Sequence, residues 1–225
     1  MEKLLLDLAR LVELGKIDKN TPHPPALIGQ DGVLELTQLA IKKEIKAQII
    51  LNEGLMPGMH AIGEKLSRGE VFITDMLIAA RAMNVALGQL KPFFLSGEIQ
   101  AKGTIVLGTV KGDLHDIGKN LVKMIMEGDG WEVKDLGTDV SEEQFVEAVN
   151  NSTDAIVGIS ALLTTTMLHM GSAVQRLREN NPNTKIYIGG APVSQSFCEE
   201  IGADGYFSNP HGLARELRKA PKLLI

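Results

Sequence analysis

The spacing of apolar residues divides the chain into two parts. Up to about Phe94, apolar residues recur three or four positions apart, as one buried face of an α-helix requires. A first helix is predicted over Leu4–Leu14 and a second over Asp31–Asn52. The proline-rich segment Gly15–Gln30 separates them, and its residues 20–25 cannot continue a helix. The seam of the last helix is formed by Met76, Ala80, Met83, Leu87 and Leu90. This part of the chain, residues 1–95, is therefore predicted to be a helical bundle.

The ends of the later helices are marked by glycine, proline and capping residues. Gly54 is predicted to end the second helix, and Pro57 to stand in the first turn of the third. Gly69 is predicted to end that third helix. Thr74 is predicted to cap the fourth helix, with Asp75 in its first turn.

Beyond residue 103 the pattern changes to short apolar runs that alternate with helical segments. Residues 96–103 are predicted to form a linker between the two parts. The predicted strands are Thr104–Val110, Trp131–Asp135, Ala155–Ser160, Lys185–Gly189 and Gly205–Phe207. The predicted helices are Ile117–Gly128, Glu142–Asn150, Thr165–Asn180, Gln195–Ile201 and Leu213–Lys219. This alternation predicts an α/β domain over residues 104–225, with a five-stranded, doubly wound parallel sheet.

Composition and charge exclude several classes of protein. The 225 residues include 23 Lys and Arg against 28 Asp and Glu, a net charge of −5, which argues against a nucleic-acid surface. The single cysteine, Cys198, leaves no disulfide framework or thiolate cluster, and it suits a reducing compartment. No apolar run reaches the roughly 18 residues that span a membrane, and the N-terminus lacks the order of a signal peptide. We expect a cytoplasmic protein without nucleic-acid or membrane partners.

Three predicted loops at strand carboxyl ends carry the residues suited to chemistry: 112–120, 158–166 and 188–192. They would lie at one edge of the sheet, where open α/β sheets bind ligands. In the first loop Asp113 stands two residues before His115, and a carboxylate beside a histidine is how proteins orient a metal-binding imidazole. The second loop supplies hydroxyl groups, and the third supplies glycines that allow a bulky group to approach the backbone. These loops predict a metal-bearing cofactor held by one histidine.

Each loop also has a structural interpretation. A histidine in a soluble protein is commonly a surface residue, Thr164–Thr166 can cap a helix, and two successive glycines commonly form a turn. No Walker lysine motif and no G-x-G-x-x-G motif follow the first predicted strand, so nucleotide binding has little support. The other histidines lack the spacing of zinc ligands and are interpreted as structural or surface residues: His23, His60, His169 and His211.

Taken together, the three loops resemble the cobalamin-binding signature of the corrinoid methyl-transfer proteins. The motifs are D-L-H-D-I-G at 113–118, S-A-L at 160–162 and G-G at 189–190. Two helical motifs, E-G-L-M-P-G-M at 53–59 and F-I-T-D-M-L at 72–77, resemble the helical cap module of the same family, which also occurs in cobalamin-dependent methionine synthase. The resemblance covers most of the chain and implies a flavodoxin-like, cobalamin-binding α/β domain that follows a helical cap.

The resemblance implies cobalamin or a related corrinoid, bound base-off and His-on, that cycles between methyl-Co(III) and Co(I). By its place in the motif, His115 is the lower axial ligand of cobalt. Asp113 would be its hydrogen-bond partner, and a hydroxyl group at Thr166, where the family leads us to expect serine, would complete the set. The implied cofactor-binding residues are Asp113, Leu114, His115, Asp116, Ile117, Gly118, Ser160, Leu162, Thr164, Thr166, Gly189, Gly190 and Ala191. The implied cap residues over the upper corrin face are Leu66, Ile73 and Met76.

The family implies a methyl carrier of anaerobic one-carbon metabolism without a catalytic site of its own. A substrate-specific methyltransferase would load the methyl group onto Co(I), a second methyltransferase would pass it to tetrahydrofolate or a thiol, and a reductive activator would rescue Co(II). The linker would act as a hinge for the cap. The segment Gly15–Gln30 would either support a homodimer through the N-terminal region or be an inert surface loop. The alternatives are a cobalamin-dependent regulator and the cobalamin subunit of a radical mutase.

Overall fold

A computed structural model describes residues 1–219 and divides them into two compact units. The helical unit comprises residues 1–101 together with 127–130, and the α/β unit comprises 102–126 and the described residues from 131 onward. The last six residues of the predicted second domain, 220–225, lie outside the described residues. Within residues 1–219, no helix has the length and apolar character needed to cross a membrane.

The helical unit contains every regular element before residue 96. These are α1 (Glu2–Glu13), a 3₁₀ turn (Pro25–Leu27), α2 (Val33–Lys42), α3 (Ala47–Ile49), a π-helical turn (Ile50–Leu55), α4 (Met56–Ser67) and α5 (Ile73–Leu95). The buried residues of α5 include most of the predicted seam: Met76, Ala80, Met83 and Leu90.

The predicted continuous helix Asp31–Asn52 is wrong, because the chain turns between α2 and α3. Glu44 adopts a left-handed conformation with φ 56°. Its N–H donates to the carbonyl of Ile41 at 2.9 Å, and the N–H of Ile45 donates to that of Ala40 at 3.2 Å, which closes the end of α2. The apolar spacing continues across this turn, so spacing alone did not signal it.

Gly54 does not end a helix, as the sequence suggested; it is buried in the π-helical turn that runs directly into α4. Pro57 does stand in the first turn of α4, as predicted. A Cβ atom on Gly58 would collide with the carbonyl oxygen of Ala9 in α1, and one on Gly54 would lie 3.2 Å from the side chains of Leu5 and Leu8. The glycines therefore allow α1 to lie close against this segment.

The start of α5 also differs from the prediction, whereas the end of α4 agrees with it. Gly69, with φ 71°, follows the last turn of α4 and donates its N–H to the carbonyl of Leu66 at 3.0 Å. Thr74 is not the cap of α5, because the helix begins at Ile73. Instead the carboxylate of Asp75, in the first turn as predicted, accepts the N–H of Phe72 at 2.8 Å.

The two irregular segments of this unit are both anchored. In Gly15–Gln30, the buried ammonium group of Lys16 donates to the carbonyl of Thr21 at 2.8 Å, and Asp18 accepts the N–H of the same threonine at 2.7 Å. In the predicted linker, Ile99 is buried and the carboxylate of Glu98 accepts the N–H of Ala47 at 3.1 Å. The first part of that linker, residues 96–101, is therefore a fixed part of the helical unit.

The α/β unit is built on a five-stranded parallel sheet of order β2-β1-β3-β4-β5. Its strands are β1 (Thr104–Thr109), β2 (Glu132–Asp135), β3 (Ile156–Ser160), β4 (Ile186–Gly189) and β5 (Gly205–Tyr206). Its helices are α6 (Ile117–Gly128), α7 (Glu142–Asn150), α8 (Thr164–Asn180), α9 (Gln195–Ile201) and α10 (Pro210–Lys219). The predicted α/β class and doubly wound parallel sheet are confirmed, with element ends that differ by a few residues.

The central strands β1 and β3 are mostly apolar because helices cover both faces of the sheet. All of β1 except Thr104 is buried, and a Cβ atom on Gly108 would lie only 2.6 Å from the ring of Phe145 in α7. The core between the sheet and its helices includes Val106, Phe145, Val157, Val174, Leu177 and Ile188. This packing fixes the strand ends from which the candidate loops emerge.

One buried ion pair joins α6 to the end of β2. The ammonium group of Lys119 is almost fully buried and donates to the carboxylate of Asp135 at 2.6 Å, and Lys123 reaches the other oxygen at 3.3 Å. Burial by itself raises the pKa of Asp135, but the hydrogen bonds from Lys119 and from the N–H of Gly137 outweigh it and lower the pKa below its ordinary value. The carboxylate is therefore ionised at neutral pH.

Asp135→Asn is expected to lower the free energy of unfolding of the apoprotein by about 3 kcal/mol at neutral pH, because the buried Lys119 loses its ionised partner. The folded-state pKa of Asp135 is lowered, so its stabilisation is present above the unfolded-state pKa of about 3.9 and is lost as the pH falls through the lower folded value. Urea unfolding at several pH values measures both effects.

The matched control is Asp154→Asn, at an exposed aspartate of the same unit, which should leave stability unchanged. A difference between wild type and Asp135→Asn that does not shrink as the pH falls well below the unfolded-state pKa of about 3.9 would contradict the assignment.

Candidate functional site

The candidate site lies at the carboxyl ends of β1 and β3, where the connections to the next strands lead to opposite sides of the sheet. β1 and β3 are adjacent, but the chain passes from β1 to β2 on one side of the sheet and from β3 to β4 on the other. The loops after β1 and β3 therefore diverge at their carboxyl ends and leave a crevice, the position at which open α/β sheets bind ligands. Residues 110–116 and 161–163 form its two sides.

Asp113 joins these two loops through its fully buried carboxylate. Oδ1 accepts the N–H of His115 at 3.0 Å and contacts Nδ1 of the same imidazole at 2.8 Å. Oδ2 accepts the hydroxyl of Thr166 at 2.6 Å and the N–H groups of Leu162 and Leu163 at 2.8 and 3.4 Å. The carboxylate is thus surrounded by donors from both loops.

This environment keeps Asp113 ionised. Burial by itself raises the pKa of the carboxyl group, but the hydrogen bonds from the Thr166 hydroxyl, the Leu162 N–H and His115 outweigh it and hold the pKa well below its usual range. An ionised carboxylate only accepts hydrogen bonds, so Nδ1 of His115 carries the proton that lies between them. In the tautomer with this single proton, Nε2 keeps its lone pair.

The imidazole of His115 is not enclosed by the protein. Its side chain is 51% exposed. Among the described residues, none forms a hydrogen bond to Nε2. His115 therefore has the arrangement of a metal-binding histidine, with one ring nitrogen oriented by a carboxylate and the other available as a ligand.

Thr166 occupies the third position of this hydrogen-bonded chain. It lies in the first turn of α8, is buried, and its hydroxyl donates to Asp113 across 53 positions of sequence. The geometry requires only a hydroxyl donor at this position, and threonine supplies it as serine would. The other predicted hydroxyl in this helix, that of Thr164, is exposed at the helix start.

Thr109, which the sequence analysis did not single out, holds the end of the histidine loop. Its side chain is fully buried at the end of β1, and its hydroxyl donates to the carbonyl of His115 at 2.9 Å. The N–H of Asp113 donates to the carbonyl of Val110 at 3.1 Å. A threonine at the end of a buried strand was the available signal, but its partner is visible only in the fold.

Large apolar side chains are exposed on both loops around His115. Leu114 is 74% exposed and Ile117 is 80% exposed, on the first loop and the start of α6. Leu162 and Leu163, on the second loop, are 44% and 43% exposed. Exposed apolar groups gathered at a crevice mark a ligand surface, and these lie on the loop that carries His115 and on the loop that bonds Asp113. Leu163 was not among the predicted residues.

The third loop lies against the second through its glycines. Gly189 pairs with Ser160 in the sheet and accepts the N–H of Ala161 at 3.2 Å. Gly190 has φ 138°, and a Cβ atom there would overlap the carbonyl oxygen of Ala161. The next residue, Ala191, is exposed. The contact between Gly190 and the backbone of Ala161 is enough to require glycine at 190, with or without a ligand. Gly189 and Ala191 lie at the carboxyl end of β4, on the same edge of the sheet as the other two loops.

Gly118 and Asp116 flank the start of α6 in different ways. Gly118 is exposed, and a Cβ atom there would meet nothing within 4 Å, so the backbone is open to a large group on this side. The carboxylate of Asp116 accepts the side-chain N–H of Asn120 at 2.8 Å and so serves the helix start. The structure does not bring Asp116 to the imidazole.

The three predicted cap residues lie in the helical unit. Ile73 is 50% exposed, Leu66 is partly exposed, and Met76 is fully buried. Phe72, which precedes α5, belongs to the F-I-T-D-M-L motif but not to the three predicted cap residues, and it is 80% exposed. The role of these residues over a corrin stays a prediction.

Fold and site together define a B12-binding protein. A family model described as a B12 binding domain matches residues 103–212, and a second model with the same description matches residues 29–91. A corrinoid protein of Desulfitobacterium hafniense (strain Y51) is 40% identical over 79% of this chain and 84% of the relative. Dimethylamine corrinoid protein 1 of Methanosarcina acetivorans is 37% identical over 87% of this chain and 91% of the relative.

A solved structure agrees with these relatives. The methanol:cobalamin methyltransferase complex MtaBC of Methanosarcina barkeri contains a chain with a TM-score of 0.80 and 27% identity, covering 98% of this chain and 81% of that one. This chain therefore belongs to the corrinoid methyl-transfer proteins, and the family resemblance drawn from its motifs is confirmed.

Thr166→Val is expected to destabilise the apoprotein by about 2 kcal/mol, because valine keeps the shape of threonine but leaves a buried carboxylate oxygen without its hydroxyl donor. Thr166→Ser keeps the donor and should retain most of the stability. Urea unfolding of the three proteins measures this. A serine variant that loses stability beside a valine variant that keeps it would show that the methyl group, and not the hydroxyl, is what matters.

Gly190→Ala is expected to destabilise the apoprotein by more than about 4 kcal/mol, since the added Cβ overlaps a backbone carbonyl in a left-handed region. Gly118→Ala, in open space within a helix, should be neutral or stabilising by up to about 1 kcal/mol. Thermal and urea unfolding of the two variants test the contrast. Wild-type stability in Gly190→Ala would refute the close approach.

Proposed function

We propose that this protein carries a methyl group on a corrinoid between two methyltransferases. The observation that supports this most directly is the chain Thr166–Asp113–His115. It ends at an imidazole whose side chain is 51% exposed, on loops that also carry exposed apolar side chains. Family membership supports the carrier role over the regulator and radical mutase alternatives.

The residues of the crevice fit a corrinoid bound base-off and His-on. Nε2 of His115 would take the lower axial position of cobalt, and the exposed leucines of the two loops would cover the apolar macrocycle. With the imidazole in that position, the cofactor's own base must lie elsewhere. The open backbone at Gly118 and the edge formed by Ser160 and Gly189 support a path for the nucleotide tail along the sheet.

When bound, the corrinoid supplies a cobalt atom that accepts and releases the methyl group. The protein's part is to adjust the donor strength of His115. The hydrogen bond from Nδ1 to the ionised Asp113 would let the imidazole share its proton with the carboxylate and so would strengthen Nε2 as a donor to a bound metal. The hydroxyl of Thr166 stabilises the carboxylate and so limits how strongly it draws that proton.

The proposed partners follow from this carrier role. A substrate-specific methyltransferase would load the methyl group, a second one would transfer it to tetrahydrofolate or a thiol, and a reductive activator would restore the oxidised cofactor. We assign the choice of methyl donor to the first partner. Because the relatives are named for dimethylamine and methanol, methylamines and methanol are the first donors to test.

Reconstitution with hydroxocobalamin is expected to give a corrinoid complex that survives gel filtration. With nitrogen-15-labelled protein, the reduced Co(II) form should show an electron paramagnetic resonance splitting from a protein nitrogen, distinct from that of the cofactor's own unlabelled base. His115→Ala should lose this splitting, because the axial imidazole is removed.

The control is His169→Ala, at an exposed histidine of α8, which should keep the splitting. A wild-type protein that releases the corrinoid on gel filtration would refute corrinoid carriage. Retention of the nitrogen-15 splitting in His115→Ala would remove His115 as the ligand.

A further inference from the structure

Asp139, which lies outside the recognised motifs, bonds the histidine loop with both its backbone and its side chain. It stands in the segment between β2 and α7. Its N–H donates to the carbonyl of Asp113 at 3.0 Å, and its carboxylate accepts the N–H of Gly112 at 2.7 Å. These two bonds fix the N–H of Gly112 and the carbonyl of Asp113, immediately before Leu114 and His115.

The backbone of Asp139 is itself held in an unusual conformation. Its φ is 56°, in the left-handed region that aspartate, asparagine and glycine tolerate best. On one side, the N–H of Thr109 donates to the carbonyl of Gly137 at 3.0 Å. On the other, the N–H of Val140 donates to the carbonyl of Thr109 at 2.9 Å. The surrounding bonds to the end of β1 keep Asp139 in this conformation, and such conformations concentrate at functional sites.

The bond from Gly112 is not explained by burial. Both Gly112 and Asp139 are exposed, so water could satisfy the N–H group and the carboxylate at little cost. What the bond does is restrict the loop. The carboxylate of Asp113 orients the imidazole of His115, and the backbone that carries this carboxylate is fixed by Asp139 on one side. Thr109 fixes the carbonyl of His115 on the other side.

We propose that Asp139 is a positioning residue that fixes the Gly112–Asp113 backbone and thereby orients the imidazole of His115 toward the cofactor. The proposal rests on the proposed function, in which Nε2 of His115 binds cobalt. Asp139 touches neither the imidazole nor its nitrogen. Asp139 acts by restricting the backbone of the loop, so that the side chains of Asp113 and His115 adopt fewer orientations.

Three variants separate the acceptor oxygen from the backbone conformation. Glycine and asparagine both tolerate the left-handed region, but only asparagine keeps a side-chain oxygen that can accept the N–H of Gly112. Asp139→Gly therefore removes the bond without strain, and Asp139→Asn restores it without the charge. Asp154→Gly is the matched control, because Asp154 is also exposed and left-handed, with φ 48°, but lies before β3 at the opposite edge of the sheet.

Two measurements on the full chain test the proposal. In the apoprotein, amide hydrogen exchange over residues 110–116 reports on the loop without any cofactor. After reconstitution of nitrogen-15-labelled protein with hydroxocobalamin and reduction to Co(II), the protein-nitrogen splitting reports on axial ligation. Asp139→Gly should lose protection at Gly112 and lose part or all of the splitting, while Asp139→Asn and Asp154→Gly should retain both. Thermal unfolding verifies that each variant is folded.

The outcomes distinguish this proposal from the proposed function. Absence of the splitting in the wild type would refute ligation by His115, and the exchange data would still show whether Asp139 fixes the loop. If the wild type shows the splitting and Asp139→Gly keeps it in full, the positioning role is overturned, whether or not Gly112 exchanges faster.

Discussion

The site depends on one buried carboxylate, that of Asp113, which accepts hydrogen bonds from two loops that are far apart in sequence. A buried ionised group is costly unless donors surround it. Here the donors come from His115 in its own loop and from Leu162, Leu163 and Thr166 after β3. The loops must therefore keep this arrangement for the carboxylate to remain buried and charged. The orientation of the imidazole is a consequence of the same requirement.

The position of this carboxylate is a property of the sheet. β1 and β3 are neighbours with their carboxyl ends at one edge, and their register places Thr109 beside Ser160. That adjacency brings the start of α8 within reach of the first loop, so the hydroxyl of Thr166 can donate to Asp113. The glycine at 190 then allows the third loop to lie against Ala161. The crevice results from the order of the strands in the sheet, and the residues of the D-x-H-x-x-G motif lie beside it.

Much of the α/β unit was predictable because strands covered on both faces give continuous apolar runs, as in Thr104–Thr109. The turn at Glu44 was not predictable from the spacing of apolar residues. That spacing continues across the charged residues of the turn, although α2 ends there. The role of Thr166 came from a family resemblance, and only the fold gives it a partner. Thr109 and Asp139 were missed because their hydrogen bonds depend on register and on loop conformation, neither of which has a signature in the sequence.

The motif and its surroundings contribute different things to the site. The motif supplies the atoms: a carboxylate, an imidazole and a small residue at the helix start. Their geometry comes from residues outside it, since the backbone of Gly112 and Asp113 is bonded to Asp139, and the carbonyl of His115 to Thr109. The D-x-H-x-x-G pattern in another strand-to-helix loop would therefore reproduce the side chains without fixing the imidazole. A fixed orientation means that the proton on Nδ1, and not the movement of the loop, determines how strongly Nε2 of His115 can donate to a metal.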